Sequence, residues 1–187
     1  MWDTLKQWDR DLFIFLNNLR IEEFDGFWLF VTQIETWTPL FILFFILILY
    51  FYKPKMGFGV IYFLLFSFGT TILSVDIVKE SVARLRPNNV EALGELIKVL
   101  QTPSNYSFFS GHAASSFSVT VFVALALRKH TKWILAAFIW PLLFVMSRIY
   151  VGVHYPSDLL VGAVVGSLIA YGSYQLCKKS LGEVNFL

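Results

Sequence analysis

A small set of polar residues interrupts an otherwise apolar chain, and their types suit the handling of a phosphate group. Lys79 and Arg86 stand seven residues apart, which on a helix is about two turns or roughly 10 Å. That spacing predicts both on one helical face, with Pro87 ending the helix, and two long cationic side chains there can converge on the oxygens of one phosphate. Ser110-Gly111-His112 predicts a helix start, with Ser110 as the cap and Gly111 letting a ligand reach the exposed backbone N–H groups. Such an N-terminus is an anion site. Ser147-Arg148 is followed by Gly152, which permits a turn, and then by His154 and Asp158 flanking Tyr155-Pro156. Pro156 suits a first helical position, so Asp158 falls in the first turn, in reach of a hydrogen bond from His154. That bond would fix the imidazole tautomer and make His154 a candidate nucleophile.

Each piece has a plainer explanation when taken alone. Lys79, Arg84 and Arg86 are also what a bilayer edge looks like when basic side chains snorkel, and Glu80 can pair with Arg84 at i, i+4. Ser110 and Gly111 need be no more than a cap. An Asp in a first helical turn is ordinary dipole compensation. None of these accounts explains His112 at the mouth of an apolar run, or Arg148 and His154 together. His130 serves as a control, because it sits in the basic stretch Arg128-Lys129-His130-Thr131-Lys132 and needs no role beyond topology.

The elements that must position these residues are membrane helices. The chain has 187 residues, 57% of them hydrophobic and 15% charged, against about 25% charged in soluble domains. Uncharged apolar runs at 36–52, 57–75, 113–127, 133–147 and 159–177 predict five transmembrane helices in an all-α, polytopic bundle. One domain, 1–187, is expected, with an N-terminal segment at 1–35, a transmembrane core at 36–177 and an external loop at 88–108. Lys53 and Lys55, then Arg128, Lys129 and Lys132, then Lys178 and Lys179 mark one end of the bundle as cytoplasmic. Seven acidic residues against three basic ones before the first run fit an external N-terminus. With that topology every residue of the phosphate set falls on the external side.

The N-terminal segment carries Leu5, Trp8, Leu12, Phe13 and Leu16 at helical spacing and a second apolar cluster at Phe27, Trp28, Phe30, Val31 and Ile34. Both predict amphipathic helices, lying on the membrane or packed against the bundle. Val90, Leu93, Ile97 and Leu100 predict a short amphipathic helix bordering substrate access, with a plain connector as the alternative. Gly162-x3-Gly166 offers close helix packing, and Asn105-Tyr106-Ser107 matches a glycosylation sequon. One cysteine, Cys177, cannot make an internal disulfide, and a net charge of +2 gives no footprint for nucleic acid.

Taken together, Lys79-x6-Arg86-Pro87, Ser110-Gly111-His112 and Ser147-Arg148-x5-His154-x3-Asp158 resemble the signature of the type 2 phosphatidic acid phosphatase (PAP2) superfamily. The second motif departs from the usual pattern, with Phe109 where a proline normally precedes Ser-Gly-His. The resemblance implies that His154 attacks phosphorus to give a phosphohistidine, that Asp158 orients it and that His112 protonates the leaving oxygen. It further implies that Lys79, Arg86, Arg148, Ser110 and the Gly111 N–H stabilise the equatorial oxygens. No metal or cofactor is expected, since two histidines and one carboxylate converge where cations already neutralise phosphate. The expected substrate is a lipid phosphate or diphosphate of the undecaprenyl diphosphate, phosphatidylglycerophosphate, phosphatidic acid or lipid A type. The compact chain favours the first two. The expected setting is a bacterial inner membrane with the site on its periplasmic face. A phosphotransferase using the same phosphohistidine and a non-catalytic lipid-phosphate binding or transport protein are the alternatives. The vanadate-dependent haloperoxidases share the motifs but are soluble.

Overall fold

The computed structural model describes residues 2–182 and Phe186, and among them every regular element is helical. The helices are α1 (Trp2–Asn18), α2 (Asp25–Val31), α3 (Thr38–Phe51), α4 (Pro54–Val82), α5 (Gly111–Leu127), α6 (Ile139–Tyr150) and α7 (Pro156–Leu181). All five apolar runs form helices, but they do not cross alike. Three stretches are long and apolar enough to span a bilayer: one beginning at Pro54, then Lys132–Tyr150 and Pro156–Leu181. The first apolar run is too short as α3 alone, and it reaches spanning length only with the preceding Glu22–Val31, from which it is bent by 66°. The fourth begins as a 3-10 helix at Lys132–Phe138 and continues as α6.

α5 has 17 residues, or about 26 Å of rise, and it is the centre of the bundle rather than a lipid-facing span. Ala113, Ala114, Ser116, Phe122, Val123 and Leu127 are all buried. Its small N-terminal residues let α7 close on it where the glycines fall. A Cβ on Gly162 would lie 2.7 Å from the Ser110 carbonyl oxygen, and one on Gly166 would overlap the carbonyl of Ala114. The expected packing role of Gly162-x3-Gly166 is therefore the observed one, and it brings the first turns of α5 and α7 side by side. Ser110 N–H donates to the Asp158 carbonyl at 3.0 Å across this contact.

The basic stretches gather at the opposite end of the bundle from the motifs. There the Tyr52 hydroxyl donates to the Ala126 carbonyl, and His130 stacks on Phe51 with its ring 5.1 Å away. His130 thus has a packing role.

The N-terminal segment is divided between the two expected placements. One face of α1 enters the bundle, where Phe13 and Asn17 are fully buried and Asn17 Nδ2 donates to the carbonyls of Lys98 and Ile149 at 3.0 Å. The other face leaves Leu5, Trp8, Leu12, Phe15 and Leu19 exposed as an apolar stripe, as an interfacial helix would. The 88–108 loop differs from its expected form. It contains only the 3-10 turns Pro87–Asn89 and Glu91–Leu93, and Leu93 and Ile97 point inward onto Phe13, Ile149 and Tyr155. Pro87, Gly94 and Pro103 break any helix there, so the apolar spacing serves a folded plug and not an access helix.

Overpacking a filled core costs about 1–3 kcal/mol. Gly166→Ala is expected to lower the melting temperature of the detergent-solubilised protein, whereas Gly172→Ala, whose Cβ meets nothing within 4 Å, leaves it unchanged or higher; thermal unfolding of the two variants side by side checks this.

Candidate active site

The site is assembled at the end of the bundle where α4 stops and α5 and α7 start. α4 ends at Val82 because Ala83 takes a left-handed conformation with φ 49°. Lys79 therefore sits in the last helical turn, but Arg86 does not share its helix. The chain reverses at Ala83 and becomes extended at Arg86, as the residue before a proline favours. Reversal of the chain, and not a common helical face, brings Lys79 and Arg86 to one place.

Lys79, Arg86 and Arg148 are only 8%, 3% and 3% exposed. The hydrogen-bond partners of the two arginines are neutral. Arg86 donates from Nε to the Asn105 carbonyl at 2.8 Å, from Nη2 to Asn105 Oδ1 at 2.8 Å and from Nη1 to the Val153 carbonyl at 3.1 Å. Arg148, in the last turn of α6, donates from Nη1 to Thr32 Oγ1 and to Gln101 Oε1 at 3.0 Å. Arg148 Nε is buried without any hydrogen-bond partner. Carbonyl, amide and hydroxyl oxygens satisfy N–H groups without cancelling the positive charge.

His154 is fully buried among them. Its Nε2 accepts from Arg86 Nη1 at 2.9 Å, so the proton of the neutral ring must sit on Nδ1, which faces Asp158 Oδ2 at 3.4 Å. The tautomer expected from the sequence is the one this geometry requires, and it leaves the Nε2 lone pair aimed at the cation cluster. Asp158 does more than orient the ring. Its Oδ2 also accepts from the Tyr155 N–H at 3.0 Å, capping α7 at the first turn that Pro156 opens.

Ser110 caps α5 as expected, its Oγ accepting from the Ala113 N–H at 3.4 Å. Gly111 approaches Val75, whose Cγ1 would be 3.3 Å from an added Cβ. The His112 ring lies against Phe144 with centroids 4.8 Å apart. The charges of Arg148, Arg86 and Lys79 act on both His112 and His154, so the structure brings all eight expected site residues into one region. Phe109, which stands where a proline was expected, is buried against Val75 and Ala114. Among the described residues, no group of three or more His, Cys, Asp or Glu is placed to hold a metal ion.

A model of the PAP2 superfamily matches residues 59–181, which include every one of these residues. The chain belongs to the PAP2 superfamily. Relatives in the superfamily include the lipid A 4'-phosphatase of Bacteroides thetaiotaomicron, 29% identical over 96% of this chain and 81% of that one. The undecaprenyl-diphosphatase of Sulfolobus acidocaldarius is 31% identical over 89% of this chain and 77% of its own. The crystal structure of a transmembrane PAP2 type phosphatidylglycerolphosphate phosphatase from Bacillus subtilis superposes with a TM-score of 0.75 at 23% identity, covering 94% of this chain and 87% of that one. The PAP2 fold is thereby shared.

Sequence reasoning missed five residues around this PAP2 site. Arg84 does not pair with Glu80 but with Asp9 and Asp158, at 2.7 Å each. Asp9 had no expected role, and Thr32, Gln101 and Asn105 hold the two buried arginines. Asn105 stands in the sequon, yet its side chain grips Arg86. Of the five, the sequence singled out Arg84, as an interfacial cation or a partner of Glu80, and Asn105, through a sequon that pointed to different chemistry.

Burial, and after it the charges of Arg86, Arg148 and Lys79, hold the His154 imidazole well below its ordinary titration range. The folded state thus binds this proton less readily than the unfolded chain, so His154 costs nothing above about pH 6.5 and weakens the fold as pH falls below it. In the nucleophilic role expected of His154 the neutral ring is the reactive form, so the acid limb it would contribute to kcat/KM is expected below pH ~6.5; a limb at or above the ordinary imidazole value would contradict this placement of the ring.

Proposed function

We propose that the chain is a membrane lipid phosphatase that hydrolyses a lipid phosphate or diphosphate through a phosphohistidine on His154. One observation carries the reading: three buried cations, two of them arginines with neutral hydrogen-bond partners and one of those with an unpartnered buried Nε, gather about an imidazole whose Nε2 faces Arg86 and whose Nδ1 faces a carboxylate. Such a pocket is short of an anion and already holds a nucleophile. The phosphate oxygens take the N–H groups of Lys79, Arg86 and Arg148 and the free backbone N–H at the start of α5. As Arg86 turns to the phosphate it releases Nε2 of His154.

Nε2 then forms a bond to phosphorus while the bond from phosphorus to the lipid oxygen breaks, and that oxygen takes its proton from His112. The imidazolium formed at His154 is stabilised by Asp158. Water next attacks phosphorus, His112 recovers a proton from it, and inorganic phosphate leaves His154 free. The cations stabilise the charge on the equatorial oxygens through both steps.

The names of the relatives support a lipid substrate, and the position of the site at one end of the bundle suits a phosphate at headgroup level with its tail in the bilayer. The relative that matches 96% of this chain is named for lipid A, and that name supports testing a lipid A phosphate beside polyprenyl diphosphate. The basic stretches at the opposite end support a site on the external face of a bacterial inner membrane.

Loss of a general acid costs about 10²–10⁴-fold. In phosphate release from lipid A, undecaprenyl diphosphate, phosphatidylglycerophosphate and phosphatidic acid, His112→Ala is expected to fall in that range and His154→Ala to be inactive. Near wild-type turnover by His154→Ala would remove the phosphohistidine from the mechanism. On intact cells, Ser104→Cys should react with a membrane-impermeant maleimide and Lys129→Cys should not; the reverse pattern would invert the proposed orientation.

A further inference from the structure

The residue with the most charged contacts at this end of the bundle is Arg84, which lies in the unspecified spacer of the first motif. It lies in the loop that follows α4. Its Nη1 donates to Asp158 Oδ1 at 2.7 Å and to Ser157 Oγ at 2.8 Å, and its Nη2 donates to Asp9 Oδ2 at 2.7 Å. Its Cζ stands 3.9 Å above the centroid of the Tyr155 ring. Asp9, on α1, completes the ring of contacts: its Oδ1 accepts from the Ser157 N–H at 2.8 Å and its Oδ2 accepts from Ser157 Oγ at 2.5 Å. Phe13, one helical turn on, packs edge-on to Tyr155 at 5.5 Å. Three segments far apart in sequence are therefore tied at the first turn of α7.

We propose that Arg84 and Asp9 are positioning residues for the nucleophile, acting through Asp158 and touching neither substrate nor the reacting atoms. Asp158 has two oxygens and two duties. Arg84 occupies Oδ1, which leaves Oδ2 directed at His154 Nδ1 and the Tyr155 N–H. Without Arg84 the carboxylate is free to turn, and a carboxylate released beside three unneutralised cations would pair with one of them. Arg84 thus keeps Asp158 on His154 and out of the phosphate clamp. Asp9 fixes Arg84 from the other side, with its two oxygens divided between the guanidinium and Ser157. An arginine is suited to this task because its planar fork addresses two carboxylates at once.

The inference rests on the proposed phosphatase reading, and its test separates the two. The full-length protein in detergent is assayed with a short-chain phosphatidic acid, and binding of inorganic phosphate and of inorganic vanadate is measured in parallel. Phosphate reports the clamp. Vanadate readily takes a fifth ligand, so its excess affinity over phosphate reports an aligned His154 whether or not the protein turns over. Arg84→Gln is expected to lower kcat by about 10²-fold with KM within about threefold, the pattern of a group that matters in the transition state and not in binding. It should also abolish the vanadate excess while phosphate binding persists. Asp9→Asn should lose about tenfold in kcat, and Asp9→Asn combined with Arg84→Gln should be no worse than Arg84→Gln alone, because both act on one carboxylate. Arg84→Lys, which keeps the charge, should recover part of the loss.

Additive losses in the double variant, a raised KM at unchanged kcat, or a vanadate excess intact in Arg84→Gln would each overturn the positioning role. A wild-type protein that shows the vanadate excess but releases phosphate from no lipid would instead overturn the phosphatase reading, with the Arg84→Gln vanadate measurement still deciding the role of Arg84.

Discussion

Burying a cation costs several kcal/mol unless an opposite charge accompanies it, and this protein buries three in one place. Arg86 and Arg148 are held by carbonyls, amides and a hydroxyl, so their geometry is fixed while their charge is left standing. The other features of the site follow from that imbalance. The loop 88–108 folds inward to supply Asn105 and Gln101. The turn at Ala83 delivers Arg86 to the side of Lys79. The carboxylate that could cancel the excess, Asp158, is committed elsewhere by Arg84, Tyr155 and His154. Under the proposed function, a phosphate entering such a place completes it.

The bundle is built to keep that arrangement at a fixed depth. α5 runs through the middle with its small residues toward α7, and Gly162 and Gly166 let the two helices touch at the backbone. Close contact sets the first turns of both helices at one level, so the cap of α5 and the capping carboxylate of α7 face a common space. A larger residue at Gly166 would push apart the two helix starts that carry Ser110, His112 and Asp158. Packing chemistry within the membrane thereby sets distances within the site.

The motif residues were legible in the sequence because polar side chains at the ends of apolar runs are costly and therefore conspicuous. Helix existence was legible for the same reason, although α3 is shorter than its run suggested and α5 is enclosed. The residues that hold the site in shape were not legible. Asp9 meets Ser157, and Thr32 meets Arg148, across more than a hundred residues of chain, and no local spacing announces such pairs. Arg84 was misread because the i, i+4 rule supplied a nearer partner in Glu80, yet α4 ends at Val82 and Arg84 leaves the helix before that pairing can form. Leu93 and Ile97 show the converse error. Their spacing is helical, but the prolines and the glycine around them fold the segment into turns that bury them against α1.

The bond between α1 and the start of α7 also bears on how the molecule is made. Asp9 leaves the ribosome well before Ser157, with which it bonds across 148 residues of chain, and the proposed alignment of the nucleophile draws on both. While the middle helices insert, α1 has no Ser157 to bind, and its apolar stripe of Leu5, Trp8, Leu12, Phe15 and Leu19 gives it somewhere to wait on the bilayer surface. Arrival of α7 closes the node around Arg84. A chain halted before α7 would carry the cations of Lys79 and Arg86 but no aligned histidine, so the proposed chemistry waits on α7.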